Sequence, residues 1–281
     1  MHIVSIISTK GGVGKTTIAA NLGGLLADAG LSVLLLDLDS QPTLSSYYEL
    51  AWKAPCGACE LIAANLDDRM QVVSRTGISG LDLIYSNDPA GQLATLLLHA
   101  PDGRVRLRNL LPRFAPHYDL ILIDTQGARS VLLEMAILAS DLLLSPVIPE
   151  MLAARELHRG TLRLLDELQP FRHLGIVTPP LWLLLNRTDA ISNDAHLIIQ
   201  GLQQAFSNLP TVRILDTRIP GLVAYRQAAT QGLPVHRLEP HQPTGRKAPS
   251  ALSSMQALAV ELFPHWQAQL HALAKTNGGG R

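Results

Sequence analysis

The chain has 281 residues, 47% of them hydrophobic, and its 23 basic side chains balance 23 acidic ones. That length and composition suffice for one large core, so we expect a single domain over residues 1–281. No window holds the roughly 18–20 uninterrupted apolar residues of a membrane-spanning helix. The first residues lack a signal-peptide pattern, and two cysteines make no disulfide framework. The sequence therefore predicts a cytoplasmic protein.

Charge is distributed unevenly along the chain. Residues 1–150 hold 10 basic and 15 acidic side chains, whereas residues 151–281 hold 13 and 8. The positive excess lies after Ala205, where the sequence has 8 basic and 3 acidic side chains. A basic surface in this region would suit a polyanion, although a solvated protein face has the same composition.

Short apolar runs alternate with helical patterns along most of the chain. The predicted strands are Ile3–Ser8, Ser32–Leu36, Leu81–Tyr85, Leu120–Ile123, Leu142–Pro146, Leu181–Leu185 and Val212–Leu215. The predicted helices are Lys15–Ala29, Arg104–Phe114, Leu132–Ala139, Ala153–Leu168, Asp194–Phe206 and a C-terminal helix over 251–275. This rhythm predicts an α/β fold, with a mostly parallel twisted sheet and helices on both faces. Residues 236–250, rich in proline and basic residues, are predicted to form an exposed loop.

A glycine-rich loop separates the first predicted strand from the first predicted helix. It consists of Gly11, Gly12, Val13, Gly14, Lys15, Thr16 and Thr17. Glycines permit positive φ angles, so that backbone N–H groups turn inward toward phosphate oxygens, and the helix N-terminus adds partial positive charge. Lys15 is expected to reach the β- and γ-phosphates, and Thr16 to bind Mg²⁺. The loop therefore predicts a P-loop site for ATP and Mg²⁺.

Carboxylates follow two of the buried strands. Asp37 and Asp39 come at the end of the second strand, and Asp124 ends the run Leu120–Ile123. Ligands bind at this edge of an open α/β sheet, so these side chains should lie near the phosphates. Asp124 is predicted to hold Mg²⁺ through a water molecule. A carboxylate at this edge can hold or polarise the attacking water, although both Asp37 and Asp39 also suit a role as strand-end caps.

Lys10 precedes the glycines and completes the motif KGGVGKTT. With this lysine the sequence resembles the ParA/MinD superfamily of deviant-Walker ATPases. The segment Asp37–Pro42 is similar to the ParA branch, because MinD-like proteins usually lack the glutamine found here as Gln41. Other stretches, among them Asp124–Ser130, look like ParA proteins of integrative elements and genomic islands.

The resemblance implies several roles. Lys10 would cross a face-to-face homodimer and contact the partner's nucleotide, and Asp39 would be the hydrolytic aspartate. The ATP-bound dimer would bind double-stranded DNA without sequence preference, and a ParB-like or adaptor protein would trigger hydrolysis and release. Such a protein would be cytoplasmic and associated with the nucleoid. Non-specific DNA binding requires a basic face. The candidates are Arg213, Arg218, Arg226, Arg237, Arg246 and Lys247.

Adenine contacts are implied at two further positions. Asn186 ends the strand Leu181–Leu185, where the superfamily often has a base-contacting asparagine; a turn cap is the equally open alternative. Pro220 lies in a segment whose spacing matches a ParA element, although Gly221 and Gln227 replace the arginine and the glutamate of that element.

Two features suggest other functions. Apolar residues recur at helical spacing in the C-terminal helix, as in the membrane-binding helix of MinD, but a face poor in basic residues favours packing on the domain. Cys56 and Cys59 have the spacing of metal ligands, which would suit a metallocluster ATPase. A MinD-like positioning ATPase on a membrane is the main alternative to DNA partitioning.

Overall fold

The computed structural model describes residues 1–88, 90–150, 152–189, 193–206 and 209–278. Nine strands within these ranges form one sheet, in the order β3-β4-β5-β2-β6-β1-β7-β8-β9. Their bounds are β1 His2–Ile6, β2 Val33–Asp37, β3 Leu50–Trp52, β4 Ser74–Thr76, β5 Leu81–Ile84, β6 Leu120–Asp124, β7 Leu142–Val147, β8 Leu181–Thr188 and β9 Val212–Pro220.

Seven of the strands run parallel, and β3 and β4 extend one edge in antiparallel pairing. The predicted α/β fold with a mostly parallel sheet is therefore confirmed, and all seven predicted strands are present. β3 and β4 were not predicted, because strands of three residues are too short to show an apolar run.

The helices are α1 Lys15–Asp28, α2 Ala58–Ala63, α3 Arg69–Val72, α4 Gln92–His99, α5 Arg106–Leu110, α6 Val131–Ala139, α7 Ala153–Leu157, α8 Arg163–Leu168, α9 Asn193–Phe206, α10 Val223–Gln231, α11 Val235–Leu238, α12 Ala251–Leu262 and α13 Gln267–Gly278. A π-helical turn, His158–Leu162, joins α7 to α8. Alternate strand residues point to opposite faces: Val4 and Leu35 pack with α1 and α12, whereas Ile3 and Leu34 pack with α2 and α6. Helices thus cover both faces of the sheet.

The C-terminal helix predicted over 251–275 is divided in two. The α12 helix ends before Phe263, whose φ of −133° and ψ of 68° are not helical, and Pro264 follows. Proline has no N–H to donate and disfavours a helical conformation in the residue before it. The apolar stripe of α12, including Leu252, Met255 and Leu258, is buried against the domain. None of the helices in the described ranges is long and apolar enough to cross a membrane.

The loop predicted over 236–250 is exposed only in part. Its first residues belong to α11, and the His236 side chain is fully buried. His236 Nε2 lies 2.8 Å from Asp28 Oδ2, at the end of α1. The prediction of an exposed loop was wrong for this end of the segment. The contact between His236 and Asp28 joins distant parts of the chain, and a composition rich in proline and basic residues does not reveal it.

Candidate functional site

The loop between β1 and α1 has the backbone geometry expected of a phosphate cradle. Gly12 and Gly14 adopt φ angles of 73° and 98°, which side chains disfavour. A Cβ at Gly14 would collide with the amide of Asn186, whose Nδ2 donates a hydrogen bond of 2.7 Å to Val13 O. The end of β8 therefore packs against the loop between β1 and α1 and is hydrogen-bonded to it. A Cβ at Gly11 would meet nothing within 4 Å, since Gly11 borders an open cleft.

Asp124 lies under this loop, at the end of β6 and at the centre of the sheet. Its Oδ2 accepts a hydrogen bond of 2.6 Å from Thr16 Oγ1, whereas its buried Oδ1 has no partner in the described part of the chain. Burial, followed by the charge of Asp37, raises the pKa of Asp124 to about 8, against the opposing effects of Thr16 and Lys15. A buried carboxylate oxygen without a partner beside a threonine hydroxyl fits Mg²⁺, whose charge would keep Asp124 ionised.

The two carboxylates after β2 occupy different environments. Asp37 is fully buried and accepts hydrogen bonds from Ser45 N at 2.8 Å and Ser45 Oγ at 2.6 Å. Burial is the main cause that raises the pKa of Asp37 to about 6, and these hydrogen bonds oppose it. Asp39 instead lines the cleft beside Thr16 and Lys15. Asp37 therefore organises the loop after β2, and Asp39 is the carboxylate of this pair that faces the cleft.

The cleft between these loops has a volume of about 480 Å³. It is lined by Gly11, Gly12, Gly14, Lys15, Thr16, Thr17, Asp39, Ser40, Gln41, Thr43, Gln126, Gly127, Ala128 and Arg187. We call it the phosphate cleft. Burial lowers the pKa of Lys15, although Asp124 and Asp39 oppose the shift. Most of the P-loop residues predicted from the sequence therefore meet at one cavity with Asp39, and Asp124 contacts Thr16 directly beneath it.

A second cavity, of about 490 Å³, adjoins the phosphate cleft, and we call it the base cavity. Asn186 and Pro220, both predicted to contact adenine, line it together with Gly14 and Thr17. Further lining residues, which were not predicted to lie at a nucleotide site, come from the β9–α10 connection and α10. These are Leu222, Val223, Tyr225, Arg226 and Ala229. The base contacts of Asn186 and Pro220 stay a prediction, which this placement favours.

Lys10 does not line the phosphate cleft of its own chain. Its Nζ donates hydrogen bonds to Glu150 Oε2 at 2.9 Å and to Glu156 Oε2 at 2.8 Å. These hydrogen bonds raise the pKa of Lys10, and the one that Lys10 donates to Glu156 has the larger effect. All three side chains are exposed by 40–55%. The lysine is therefore held at the surface beside its own site, in a position that sequence spacing does not reveal.

The six side chains predicted to bind DNA fall into two groups. Arg213, Arg237 and Arg246 form ion pairs with Glu261, Asp28 and Glu239, respectively. Arg218, Arg226 and Lys247 form no ion pair within the described ranges. The first group is therefore partly neutralised within the chain, and DNA binding by the six side chains stays a prediction.

Four features together define a P-loop nucleotide-binding site. They are a strand, a glycine loop with left-handed residues, a helix with buried Lys15, and Asp124 hydrogen-bonded to Thr16. A family model described as an AAA domain matches residues 1–173. The sporulation initiation inhibitor protein Soj of Bacillus subtilis is 30% identical over 241 residues, which cover 85% of this chain and 91% of Soj.

Two solved structures are similar over most of the chain. Apo McdA from Cyanothece is 26% identical with a TM-score of 0.72, covering 99% of this chain and 100% of McdA. Cobyrinic acid a,c-diamide synthase from Mycobacterium smegmatis, solved with ADP and magnesium, is 26% identical with a TM-score of 0.67, covering 89% and 98%. The chain belongs to the ParA/MinD family of deviant-Walker P-loop ATPases.

Proposed function

We propose that the protein is a ParA-type ATPase for DNA partitioning, which acts as an ATP-dependent homodimer. The position of Lys10 carries the proposal: this lysine belongs to the P-loop motif, yet two glutamates hold it outside its own cleft. Exposed ion pairs contribute only about 0–1 kcal/mol each, so exchanging them for a partner's phosphates costs little. Lys10 is thereby available to stabilise transferring phosphate charge in the opposite subunit.

Within each chain the remaining roles follow from the cleft. Lys15 and the loop N–H groups bind the β- and γ-phosphates, and Asp39 orients the attacking water and accepts its proton. Thr16 and, through water, Asp124 would hold Mg²⁺, which would supply positive charge against the phosphates. Asn186 and Pro220 enclose the adenine. Because the second subunit must complete the site, turnover is slow until a ParB-like or adaptor protein stimulates it.

DNA binding is the step that assigns this ATPase to partitioning. Free basic side chains in the C-terminal third, such as Arg218 and Lys247, would displace counterions from phosphates irrespective of sequence, whereas Arg226 lines the base cavity. The ATP-bound dimer presents two copies of this surface and therefore binds more tightly than a monomer. The protein would then be found on the nucleoid in the cytoplasm.

A gel-shift assay with a duplex of arbitrary sequence tests the proposal. The wild-type protein is expected to retard DNA at low salt with ATP or a non-hydrolysable analogue but not with ADP. Lys15→Ala should abolish retardation by preventing nucleotide binding. Lys10→Ala should abolish it while ATP still binds, because only dimer formation fails. Absence of retardation by the ATP-loaded wild type would contradict DNA partitioning.

A liposome flotation assay distinguishes DNA partitioning from the MinD-like alternative. In the presence of ATP, a membrane-positioning ATPase would bind anionic liposomes and float with them. We expect no recruitment, because the apolar residues Leu252, Met255 and Leu258 of α12 pack against the domain and are not free to enter a bilayer. ATP-dependent flotation without DNA retardation would replace our proposal by the MinD-like one.

A further inference from the structure

Arg187 interrupts the pairing of β8 with β9 at the edge of the nucleotide site. Asn186 pairs with Ile219 and Thr188 pairs with Pro220, so two steps along β8 correspond to one step along β9. Arg187 is the extra residue of this bulge, and its φ of 54° lies in the left-handed region that arginine rarely adopts. Bulges re-aim side chains and are common beside active sites, where surrounding structure maintains such backbone strain.

The bulge changes where two consecutive side chains point. In a regular strand neighbouring residues face opposite sides of the sheet, yet Asn186 and Arg187 both line the base cavity. The Asn186 side chain is buried and hydrogen-bonded to the P-loop, whereas that of Arg187 is exposed. The Arg187 side chain forms no ion pair or hydrogen bond with any residue in the described part of the chain. Its guanidinium is therefore free to meet a ligand.

Arg187 also lies where the two cavities join. Three residues line both the base cavity and the phosphate cleft: Gly14, Thr17 and Arg187. A nucleotide with its base in one cavity and its terminal phosphates in the other must place its ribose and α-phosphate at this junction. Gly14 has no side chain and Thr17 is neutral, so Arg187 supplies the charged group there.

We propose that Arg187 binds the α-phosphate of the nucleotide through its guanidinium. The assignment rests on the proposed ATP binding and adds a residue that the P-loop motif does not include. Lys15 is assigned to the β- and γ-phosphates, as is the Mg²⁺ that Thr16 and Asp124 would hold. The α-phosphate is therefore left with neutral donors. A planar guanidinium can direct two N–H groups at one non-bridging α-oxygen, a geometry that lysine does not reproduce. ADP and ATP both carry this phosphate, so both depend on Arg187 equally.

Titration calorimetry of Mg-ATP and Mg-ADP tests the contact in three variants. Arg187→Gly removes the guanidinium and keeps the bulge, because glycine adopts φ 54° without strain. Arg187→Lys keeps the charge but not the paired donors. Arg172→Ala removes one exposed positive charge from the turn Gln169–Leu174, outside both cavities. We expect Arg187→Gly to weaken ATP and ADP by a similar factor of roughly ten, Arg187→Lys to weaken both less, and Arg172→Ala to match the wild type.

The two diastereomers of adenosine 5′-O-(1-thiotriphosphate) supply a readout that a structural role would not move. Sulfur replaces a different α-oxygen in each, so the wild type should prefer one and Arg187→Gly should lose the preference. Binding of ATP and ADP by Arg187→Gly within two-fold of wild type would overturn the assignment, as would a loss confined to ATP. Lack of preference in the wild type, or an unchanged preference in the variant, would also overturn it. Failure of the wild type to bind Mg-ATP would instead refute the proposed function and this contact with it.

Discussion

Gly127, in the loop after β6, touches the backbone of the P-loop. A Cβ at Gly127 would lie 2.7 Å from Gly11 Cα, 3.0 Å from Gly11 N and 3.2 Å from Lys10 O. Optimal separation between carbon atoms is roughly 3.5–4.0 Å, so the loops must part by roughly 1 Å to admit one methyl group. All three neighbours are backbone atoms and cannot rotate away. Gly127 itself is not in the left-handed region, so this clash alone determines the effect of alanine.

The expected magnitude of Gly127→Ala follows from where the displacement acts. Overpacking costs about 1–3 kcal/mol of unfolding free energy. Gly11 lines the phosphate cleft, and a displacement of about 1 Å in a catalytic site can lower the rate roughly 100-fold. We therefore expect a modest loss of stability with a loss of ATP turnover of about two orders of magnitude.

Phosphate release and urea unfolding of Gly127→Ala measure the two effects separately. Gly201→Ala in α9 is the matched control, because its Cβ would meet nothing within 4 Å. That helical substitution should raise the unfolding free energy by roughly 0.5–1 kcal/mol and leave turnover unchanged. Wild-type turnover in Gly127→Ala would show that the two loops separate freely and would refute the reasoning.

Three further predictions concern acidic side chains. Asp39→Ala should abolish phosphate release yet retain the ATP-dependent dimer in light scattering; rapid turnover would contradict its role. Glu150→Gln with Glu156→Gln frees Lys10 from ion pairs worth about 0–1 kcal/mol each, so the dimer should tighten several-fold by ultracentrifugation, and an unchanged affinity would argue against restraint of Lys10. Burial acts to raise the pKa of Asp28, but hydrogen bonds from basic neighbours lower it to about 2. The stabilisation of the fold by ionised Asp28 is present above about pH 4 and lost toward pH 2. In urea titrations Asp28→Asn should therefore lower the free energy of unfolding by about 2 kcal/mol at pH 7 and flatten its dependence on pH in acid. An unaltered pH profile would count against this.

The sequence predicted the parts of the protein that depend on contiguous residues. The P-loop is recognisable because a single backbone segment binds the phosphates, with glycines where Gly12 and Gly14 adopt positive φ. Most of the longer strands are recognisable because burial on both faces leaves apolar runs, whereas β9 lies at an edge of the sheet and is only partly buried. Asp39 and Asp124 follow from their places at strand ends, since all parallel strands present the same edge to a ligand.

Tertiary structure decided the features that join distant segments. Lys10 meets Glu150 and Glu156, 140 and 146 residues away, and ion pairs partly neutralise three of the six arginines and lysines predicted to bind DNA. The pairing of β8 with β9 produces the bulge at Arg187, and β9 lies beyond an intervening helix. Periodicity and motif spacing encode local conformation, whereas strand register and charge pairing depend on which segments the folded chain brings together.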